Sequence, residues 1–540
     1  MAVLELDAII VGAGFSGIYL LHLLRDELHL NVKILEARSD VGGVWNSNIY
    51  PGARVDCPTP VYAFDIEQVY KGWKWSQAYP SQEELQAYFR HVDQVLSVRQ
   101  DCLFDSRVNE AHFNKASSRW TIQTDDGKTV IAKYLIPAVG FADKQYVPAW
   151  KGLDSFQGTI YHSSLWPRDG VDVRGKRVAV IGTGATGVQI IQEWGKEAAE
   201  TLVFQRTPNL ALPMKQKSLD SAAQSQMLVE TPKLFDSCQS TFGGMPHADN
   251  TKAFSDYSSS EECEKMLGEL YDKGGFRFWG GLADLLVNPE ASRFAYEVWA
   301  KRVRARVHDP IKRDLLAPPE PPHPWGTKRP SLEQDYYEQF NRPNVQIVNT
   351  QAHPIVELTP KGIITDDKKL YEVDVIAIAT GFDSSTGTLA KMGLQDLDGV
   401  DLESRWREGI ISFLGMTIPG FPNMFLPYSI QSPTPLTNGP VFIKHQAKWI
   451  QSMIRKMETN GIQYIDPSQK AAQAWREEVL GIAGMTLFPQ AKSWYQGANI
   501  PGKHIEQMYY LGGVPMYLKK CSAALGDEFL ESFVTNEEAT

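Results

Sequence analysis

The same pattern of an apolar strand, three spaced glycines and an amphipathic helix occurs twice in this chain. The stretches are LDAIIVGAGFSGIYLLHLL and KRVAVIGTGATGVQIIQEW, and each contains a GxGxxG spacing. In such a turn the first glycine allows the bend, the second lets the backbone approach a pyrophosphate, and the third lets the helix pack closely on the strand. The sequence therefore predicts an α/β fold with two Rossmann-like dinucleotide-binding domains. The glycines concerned are Gly12, Gly14 and Gly17 in the first copy and Gly182, Gly184 and Gly187 in the second.

The residue that ends the next strand differs between the two copies. Glu36 follows the first glycine of its copy by 24 positions, and Arg206 follows the first glycine of its copy by the same 24 positions. A carboxylate accepts hydrogen bonds from a ribose diol and repels a 2′-phosphate, whereas an arginine pairs with that phosphate. The first site is therefore predicted to bind FAD and the second NADPH. The alternative for Arg206 is an ordinary surface arginine.

A later strand and a helical region predict how the domains are arranged along the chain. The stretch YEVDVIAIATGFD, residues 371–383, has the composition of a buried strand from which the chain returns to the first unit. We predict an FAD domain made of residues 1–145 and 385–540, and an NADP domain made of residues 150–215 and 330–380. Residues 216–329 are predicted to be a helical insertion and linker.

One helix of the insertion is marked clearly. In NPEASRFAYEVWAKRVRARVHD, Asn288 is suited to cap the helix and Pro289 to start it. Apolar residues then recur at roughly helical spacing, at positions 294, 298, 303 and 307. The following LAPPEPPHPWGTKRP is rich in proline and therefore stiff. This stretch either delivers the TKRP segment to a site or is a plain linker.

Charge and cysteine content exclude several classes of function. A net charge of −10 gives no basic surface for nucleic acid. The five cysteines show no CxxC pair, which argues against a metal site and fits a reducing, cytoplasmic compartment. The apolar run Ala8–Leu24 is short for a membrane span and is interrupted by glycines. We therefore expect a cytoplasmic protein without metal, nucleic-acid or membrane partners.

Four further blocks resemble one known family. The stretch FQGTIYHSSLWP fits F-x-G-x-x-x-H-x-x-x-W-P and resembles the signature of the Baeyer–Villiger monooxygenases. The blocks GGVWNSNIYPGARVD, GTKRPSLEQDYYEQFNRPNV and SWYQGANIPGK also resemble that family, in its order, so the resemblance extends from Met1 to about Tyr517. It implies a flavoprotein that uses NADPH and O2 to insert one oxygen atom beside a ketone carbonyl, through a C4a-peroxyflavin, giving an ester or lactone.

The resemblance also implies roles for individual residues. Arg329 of TKRP is the catalytic cation that stabilises negative charge on the reacting oxygen atoms, and Asp56 orients it. The alternatives are a structural ion pair for Arg329 and local backbone capping for Asp56. His162 is interpreted as a structural residue of a connector between the domains, hydrogen-bonded there, rather than as an acid or base. Trp494 is either a mobile-loop residue that closes over nicotinamide and substrate or an interdomain core residue.

The remaining residues are assigned to the cofactors by the same resemblance. Arg206 and Lys328 grip the 2′-phosphate, residues 183–188 cradle the NADP pyrophosphate, and residues 44–46 with Tyr62 contact the flavin. Besides the glycines, Glu36, Asp56, Arg329 and Trp494, the predicted cofactor contacts are Phe15, Ser16, Val44, Trp45, Asn46, Tyr62, Val108, Thr183, Ala185, Thr186, Val188, Arg206, Thr207 and Lys328.

Two departures from the family pattern concern the expected substrate pocket. Asn46 and Ser47 stand where a second aromatic residue is usual, and Tyr428 and Ser429 stand where Gly-Pro is usual. Two other functions stay open: an N- or S-oxygenating flavin monooxygenase, and an FAD- and NADP(H)-binding sensor with little turnover. The expected partners are a small ketone and O2, and the expected assembly is a monomer or weak homo-oligomer.

Overall fold

The first sheet of the computed structural model, which describes residues 3–535, is built around the first glycine-rich unit. Its strand Val3–Val11 pairs in parallel with both neighbours, so that Ile10 lies opposite Ile34 and Ile136. All three of these isoleucines are fully buried. In sheet order the seven strands are Leu394–Gln395, Val108–Asn114, Arg119–Thr124, Thr129–Pro137, Val3–Val11, Val32–Leu35 and Cys102–Leu103.

The second sheet is entirely parallel and contains the second glycine-rich unit. The predicted strand near residues 371–383 is observed as Val375–Ile378 and lies between Arg177–Ile181 and Thr159–His162. The chain then returns to the first sheet, as the sequence predicted. In sheet order the five strands are Val345–Asn349, Glu200–Gln205, Arg177–Ile181, Val375–Ile378 and Thr159–His162.

Smaller strands complete the β structure. An antiparallel sheet of three strands packs on the second sheet through Leu358 and Ile363, which are fully buried. The smaller sheets are formed by Ile355–Thr359, Gly362–Thr365 and Leu370–Glu372, by Leu212–Pro213 with Leu332–Glu333, and by Ile465–Pro467 with Phe533–Thr535.

The glycine turns are as tight as their spacing predicted. A Cβ on Gly17 would lie 1.9 Å from the carbonyl oxygen of Gly12, and one on Gly187 would lie 2.1 Å from that of Gly182. Gly12 and Gly182 have φ values of 106° and 105°, which side chains rarely tolerate. Each helix therefore begins directly against the strand that precedes it, at Phe15–Leu21 and Ala185–Glu197.

The region between the two halves of the second sheet is helical, as predicted. The Asn288 side chain accepts hydrogen bonds from the backbone N–H groups of Glu290 and Ala291, and the helix that follows ends at Arg306. Its predicted apolar residues Val298 and Val303 are buried. The helices of the insertion are Ser221–Cys238, Ser260–Lys273, Pro289–Arg306 and Pro310–Leu316.

Helices from the C-terminal part pack against the first glycine-rich helix. Gln451, on the helix Gly439–Asn460, donates a hydrogen bond to the carbonyl oxygen of Leu23. Within residues 3–535, no helix combines the length and the apolar character needed to cross a membrane. The other α-helices are Val44–Ser47, Glu67–Tyr70, Gln82–Leu96, Tyr336–Gln339, Thr386–Ala390, Leu402–Arg405, Gln469–Gly484, Gly513–Leu525 and Phe529–Ser532.

Candidate active site

Glu36 lies against the first glycine turn, where its carboxylate organises the backbone. Its Oε2 accepts the N–H of Ala13 at 2.7 Å and its Oε1 accepts the N–H of Arg38 at 2.9 Å. Burial raises the pKa of the Glu36 carboxyl group. Because a carboxylate offers about four acceptor positions, Glu36 can still accept hydrogen bonds from a ribose diol. The strand that starts at Val108 begins close by, since the N–H of Ser106 bonds to the Glu36 carbonyl at 3.0 Å.

Trp45 and Tyr62 stand together beside the first glycine-rich helix. The indole N–H of Trp45 donates to the Tyr62 hydroxyl at 3.1 Å, and the Phe15 ring meets the Tyr62 ring edge-on at 5.4 Å between centroids. Ser16 is buried in the same helix, and Val44 is 40% exposed. Asn46 is buried and accepts a hydrogen bond from Arg168 at 3.1 Å. Trp45 and Tyr62, two of the predicted flavin contacts, thus lie together with Phe15, a predicted cofactor contact, and Asn46 follows Trp45 in the chain.

A buried polar atom in this region is free to bind a ligand. Among the residues that the structure describes, none is a hydrogen-bond partner of the Asn438 Oδ1 atom, although Asn438 is fully buried. Its Nδ2 donates to the Val61 carbonyl at 3.3 Å, next to Tyr62. Asn438 is also the N-cap residue of the helix Gly439–Asn460, whose positive end favours negative charge. The pyrimidine edge of a flavin carries both an N–H donor and partially negative oxygens, so these residues fit FAD.

The second glycine turn leaves open space at one glycine. A Cβ on Gly184 would meet nothing within 4 Å, in contrast to the packed Gly187. The Thr183 hydroxyl donates to the Thr207 carbonyl at 2.8 Å, which connects the turn to the end of the next strand. The helix from Ala185 includes Thr186 and Val188, and its N-terminal N–H groups border the open space. A pyrophosphate fits at such a helix end.

Two cations lie together near this turn. Arg206 is exposed, and Lys328 is partly buried. Burial, and then the charge of Arg206, lower the pKa of Lys328 to about 8. Among residues 3–535, neither cation takes part in an ion pair: no carboxylate oxygen lies within 4.0 Å of its charged nitrogens. This pair suits the 2′-phosphate of NADPH.

Arg329 is held in one orientation by Asp56. The Nε of Arg329 donates to one Asp56 oxygen at 2.7 Å, and its Nη2 donates to the other at 3.0 Å. Its Nη1 donates to the carbonyl oxygens of Pro435 at 3.0 Å and Thr437 at 3.3 Å. Burial opposes the charge, but Asp56 raises the pKa of Arg329 well above its ordinary value. The guanidinium group therefore stays positive at any working pH.

The sequence did not indicate several neighbours of Arg329. The Phe276 ring lies against the guanidinium, with its centroid 4.6 Å from Cζ, and Cys57 Sγ lies 3.5 Å from Nη2. Burial raises the pKa of the Cys57 thiol well above its usual value. Pro435 and Thr437 act through backbone carbonyl oxygens, which no residue type in the sequence indicates. Cys57 could have been suggested only by its position next to Asp56.

Trp494 lies inside an aromatic cluster near this site. Its ring is stacked parallel to Phe141 at 5.8 Å and meets Tyr495 edge-on at 4.5 Å. The Tyr495 hydroxyl donates to the Pro435 carbonyl at 3.4 Å, the same oxygen that Arg329 contacts. Trp494 therefore neighbours Tyr495, which shares the Pro435 carbonyl with Arg329. The Trp494 ring also packs on Phe141, in the segment that follows the strand Thr129–Pro137.

His162 is buried and hydrogen-bonded on both ring nitrogens. Its Nδ1 lies 3.0 Å from the Ser164 hydroxyl, and its Nε2 lies 3.3 Å from the Gly381 carbonyl oxygen. Burial lowers the pKa of the imidazole. Trp166, from the same predicted connector, is buried against Trp194 at 5.4 Å, while Phe156 is only partly buried against the second sheet. These contacts agree with a structural role for His162, but Thr159–His162 is a strand of the second sheet and not a connector between the domains.

Comparison with known proteins places the chain in a family. Two family profiles match parts of it: an NAD(P)-binding Rossmann-like domain over residues 10–74, and L-lysine 6-monooxygenase/L-ornithine 5-monooxygenase over residues 61–273. The chain is 44% identical to the FAD-binding monooxygenase acrE of Aspergillus aculeatus, over 97% of this chain and 88% of that protein. It is 38% identical to the cyclopentanone 1,2-monooxygenase of a Comamonas species, over 96% and 94% of the two chains. It is 36% identical to a Baeyer–Villiger monooxygenase of Pseudooceanicola batsensis, again over 96% and 94%.

A solved structure supports the same assignment over the full length. OTEMO in complex with FAD and NADP superposes with a TM-score of 0.93 at 35% identity and covers 98% of this chain and 99% of its own. The fold, the cofactors and the activity expected from the sequence are thereby confirmed. The chain belongs to the Baeyer–Villiger monooxygenases, which are FAD- and NADP-dependent flavoenzymes.

Proposed function

We propose that this enzyme uses NADPH and O2 to oxygenate a ketone beside its carbonyl group and that Arg329 and Asp56 perform the essential electrostatic role. The observation that carries the proposal is the two-point pairing of Arg329 with Asp56, at 2.7 and 3.0 Å. The relative from Comamonas is named for cyclopentanone, and another is named for acetone. Both names support a ketone as the substrate.

Arg329 supplies a fixed positive charge at the reacting oxygen atoms. Bound FAD, once reduced by NADPH, supplies the activation of O2. When the ketone carbonyl is attacked, its oxygen becomes negative, and a guanidinium that is already oriented stabilises that charge without reorganising. Asp56 and the two carbonyl oxygens use three of the guanidinium nitrogens, which limits its rotation. The fifth N–H group, on Nη2, lies 3.5 Å from Cys57 Sγ, a weak acceptor that a substrate oxygen can replace.

The aromatic cluster near Arg329 keeps water away from this chemistry. Tyr495 donates to the Pro435 carbonyl that Arg329 contacts, Trp494 packs on Tyr495, and Phe141 lies against both Trp494 and Tyr428. Tyr428 donates a hydrogen bond to the Thr434 carbonyl at 3.1 Å. We assign to this cluster the exclusion of water and the closure over nicotinamide that Trp494 was predicted to perform.

The other site residues keep their predicted partners in this proposal. Glu36 and Val108 belong to the adenosine end of FAD, and Trp45, Asn46 and Tyr62 belong to its flavin end. Residues 183–188 hold the NADP pyrophosphate, and Arg206, Thr207 and Lys328 surround its 2′-phosphate. The fit of Asn438 to the flavin pyrimidine supports this arrangement.

We propose the predicted division into an FAD domain of residues 1–145 and 385–540, an NADP domain of residues 150–215 and 330–380, and an insertion of residues 216–329. Residues 1–2 and 536–540 lie outside the described residues. The two separate sheets, one mixed and one parallel, support the division. A monomeric or weakly associating, cytoplasmic enzyme is also proposed, and the five free thiols fit a reducing compartment.

N-oxygenation is the alternative that the second family profile favours, since that profile covers residues 61–273. The test offers cyclopentanone and an amine, L-ornithine, in parallel to the FAD-loaded enzyme with NADPH. We expect one lactone per NADPH and no hydroxylamine. Hydroxylamine formation, or NADPH consumption that yields only H2O2 with cyclopentanone and a set of linear ketones, contradicts the proposal.

A further inference from the structure

A cleft of about 500 Å³ opens in the helical insertion. It lies between residues 247–252, the helix Ser260–Lys273 and the 3-10 turn Gly275–Phe278. This volume is in the range of small-molecule sites. Its lining combines an apolar side with a charged side: Tyr257, Met266 and Leu270 form the former, and Lys252, Lys273 and Arg277 the latter.

The three cations of this cleft have no carboxylate partner. Within residues 3–535, no ion pair shorter than 4.0 Å involves Lys252, Lys273 or Arg277. The two acids that line the cleft are engaged elsewhere: Asp249 accepts the N–H of Phe242 at 2.6 Å, and Glu262 accepts that of Ser258 at 3.0 Å. Three cations and two carboxylates give this lining a net charge of +1 in a chain of net charge −10, which favours an anionic ligand.

Arg277 is the cation nearest to the chemistry. The preceding residue in the chain, Phe276, lies against the Arg329 guanidinium at 4.6 Å, so one turn, Gly275–Phe278, contributes to both sites. Arg277 is partly buried and donates to the Gly274 carbonyl at 3.3 Å through Nη1, which leaves its other N–H groups for a ligand. Burial, together with the charge of Arg277, lowers the pKa of the adjacent His247 to about 4, so that imidazole is neutral.

We propose that this cleft binds the anionic end of the substrate, so that the substrate is a ketone with a carboxylate remote from its carbonyl group. Arg277 pairs with the carboxylate, Lys252 and Lys273 add to the local potential, and the apolar lining contacts the carbon chain. The inference rests on the proposed function, because it adds a second anchoring point to the ketone that Arg329 receives.

The test compares methyl-ketone acids of increasing length, from 5-oxohexanoate to 11-oxododecanoate, with their methyl esters. We expect kcat/KM to be higher for the acid than for the ester by about 10- to 100-fold at one optimal length, as for a hydrogen bond between charged groups. Arg277→Gln should remove this preference, whereas Arg277→Lys should retain part of it. Raising the salt concentration should reduce the preference in the native enzyme.

Two controls separate this inference from the proposed function. Arg407→Gln removes one exposed positive charge outside the cleft and should leave the preference for the acid intact. Oxygenation of cyclopentanone and of the esters reports the proposed function alone. If the esters are oxygenated as efficiently as the acids at every length, the cleft inference is wrong while the enzyme activity stands.

Direct binding tests the cleft even if no ketone is oxygenated. Octanoate carries the carboxylate but no carbonyl group to oxygenate, and its binding to the FAD-loaded enzyme is measured by calorimetry. We expect binding that Arg277→Gln weakens by about tenfold or more and that salt reduces. Absence of octanoate binding, or equal binding to the native and Arg277→Gln proteins, overturns the inference.

Discussion

Arg329 takes its orientation from residues that are far apart in sequence. Asp56 comes from the turn after the YPG motif, 273 positions before Arg329, while the carbonyl oxygens of Pro435 and Thr437 lie 106 and 108 positions after Arg329. A lysine has three donors on a compact ammonium group and cannot reproduce the planar two-point pairing. The position therefore requires the guanidinium shape as well as its charge.

Replacing Arg329 with lysine should separate NADPH oxidation from oxygenation. We expect ester formation to fall by about 10²–10³-fold, as for the loss of a preorganised donor, while NADPH is still consumed and H2O2 is released. Products are measured by gas chromatography and H2O2 by a peroxidase assay. Arg306→Lys is the matched control, because Arg306 also pairs with carboxylates, those of Glu333 and Glu338 in the proposed NADP domain. Ester formation by Arg329→Lys within tenfold of the native rate contradicts the assigned role.

Lys328 should make the use of NADPH depend on pH. Its pKa is lowered to about 8, so the cation that pairs with the 2′-phosphate is lost as the pH rises above that value. We expect the ratio of kcat/KM for NADPH to that for NADH to fall between pH 7.5 and 9.5. NADH lacks the 2′-phosphate, so other titrations cancel in the ratio. In Lys328→Arg the ratio should stay flat, since a guanidinium does not titrate in this range; a ratio that falls equally in both proteins contradicts the prediction.

The glycine turns show how much of an element can be predicted from the sequence. The spacing of Gly182, Gly184 and Gly187 predicted both the strand and the helix, because each glycine answers a local steric demand. The loop 426–438 was not predictable in this way. Tyr428 and Gln431 have positive φ values of 55° and 49°, which residues of these types rarely adopt. The conformation of that loop depends on tertiary contacts, whereas sequence patterns indicate mainly local contacts.

Two alanine substitutions in the second turn should therefore affect different properties, one the binding of NADPH and the other the stability of the fold. Gly184→Ala places a Cβ in open space, so the fold and the FAD content should stay native while the KM for NADPH rises by at least about tenfold. Gly187→Ala places a Cβ 2.1 Å from a backbone oxygen, so the thermal unfolding temperature should fall. Thermal unfolding, FAD absorbance and NADPH titration distinguish the two variants. Native NADPH affinity in Gly184→Ala would show that no cofactor approaches that glycine.

At the scale of the whole molecule, two chain segments connect the sheets side by side. The N–H of Tyr146 donates to the Gly381 carbonyl at 3.0 Å, and the N–H of Asp383 donates to the Lys144 carbonyl at 2.8 Å. The Asp383 carboxylate also pairs with Lys503 at 2.6 Å. The sequence predicted that the chain returns to the first unit after residues 371–383, but not that this segment pairs with residues 144–146, since pairing depends on how the two sheets face each other. We expect such a double connection to restrict how the two sheets move relative to each other.

His162 is the side chain best placed to stabilise this connection. Its Nε2 lies 3.3 Å from the Gly381 carbonyl oxygen, the same oxygen that receives the Tyr146 N–H. Because its pKa is lowered by burial, the imidazole is neutral at pH 7 and acts through hydrogen bonds rather than through charge. Its removal should therefore loosen the connector without changing either cofactor site.

We expect His162→Ala to keep FAD, its NADPH affinity and most of its rate of NADPH oxidation, while the share of NADPH that ends as H2O2 rises several-fold. The physical reason is that oxygenation needs the two domains to hold one arrangement after hydride transfer, whereas NADPH oxidation alone does not. Parallel assays of NADPH consumed, ester formed and H2O2 released give the fraction of NADPH oxidation that leads to ester. His353→Ala is the matched control, because His353 is an exposed histidine on the edge of the second unit. If His162→Ala couples NADPH oxidation to ester formation as tightly as the control, the connector does not depend on this residue.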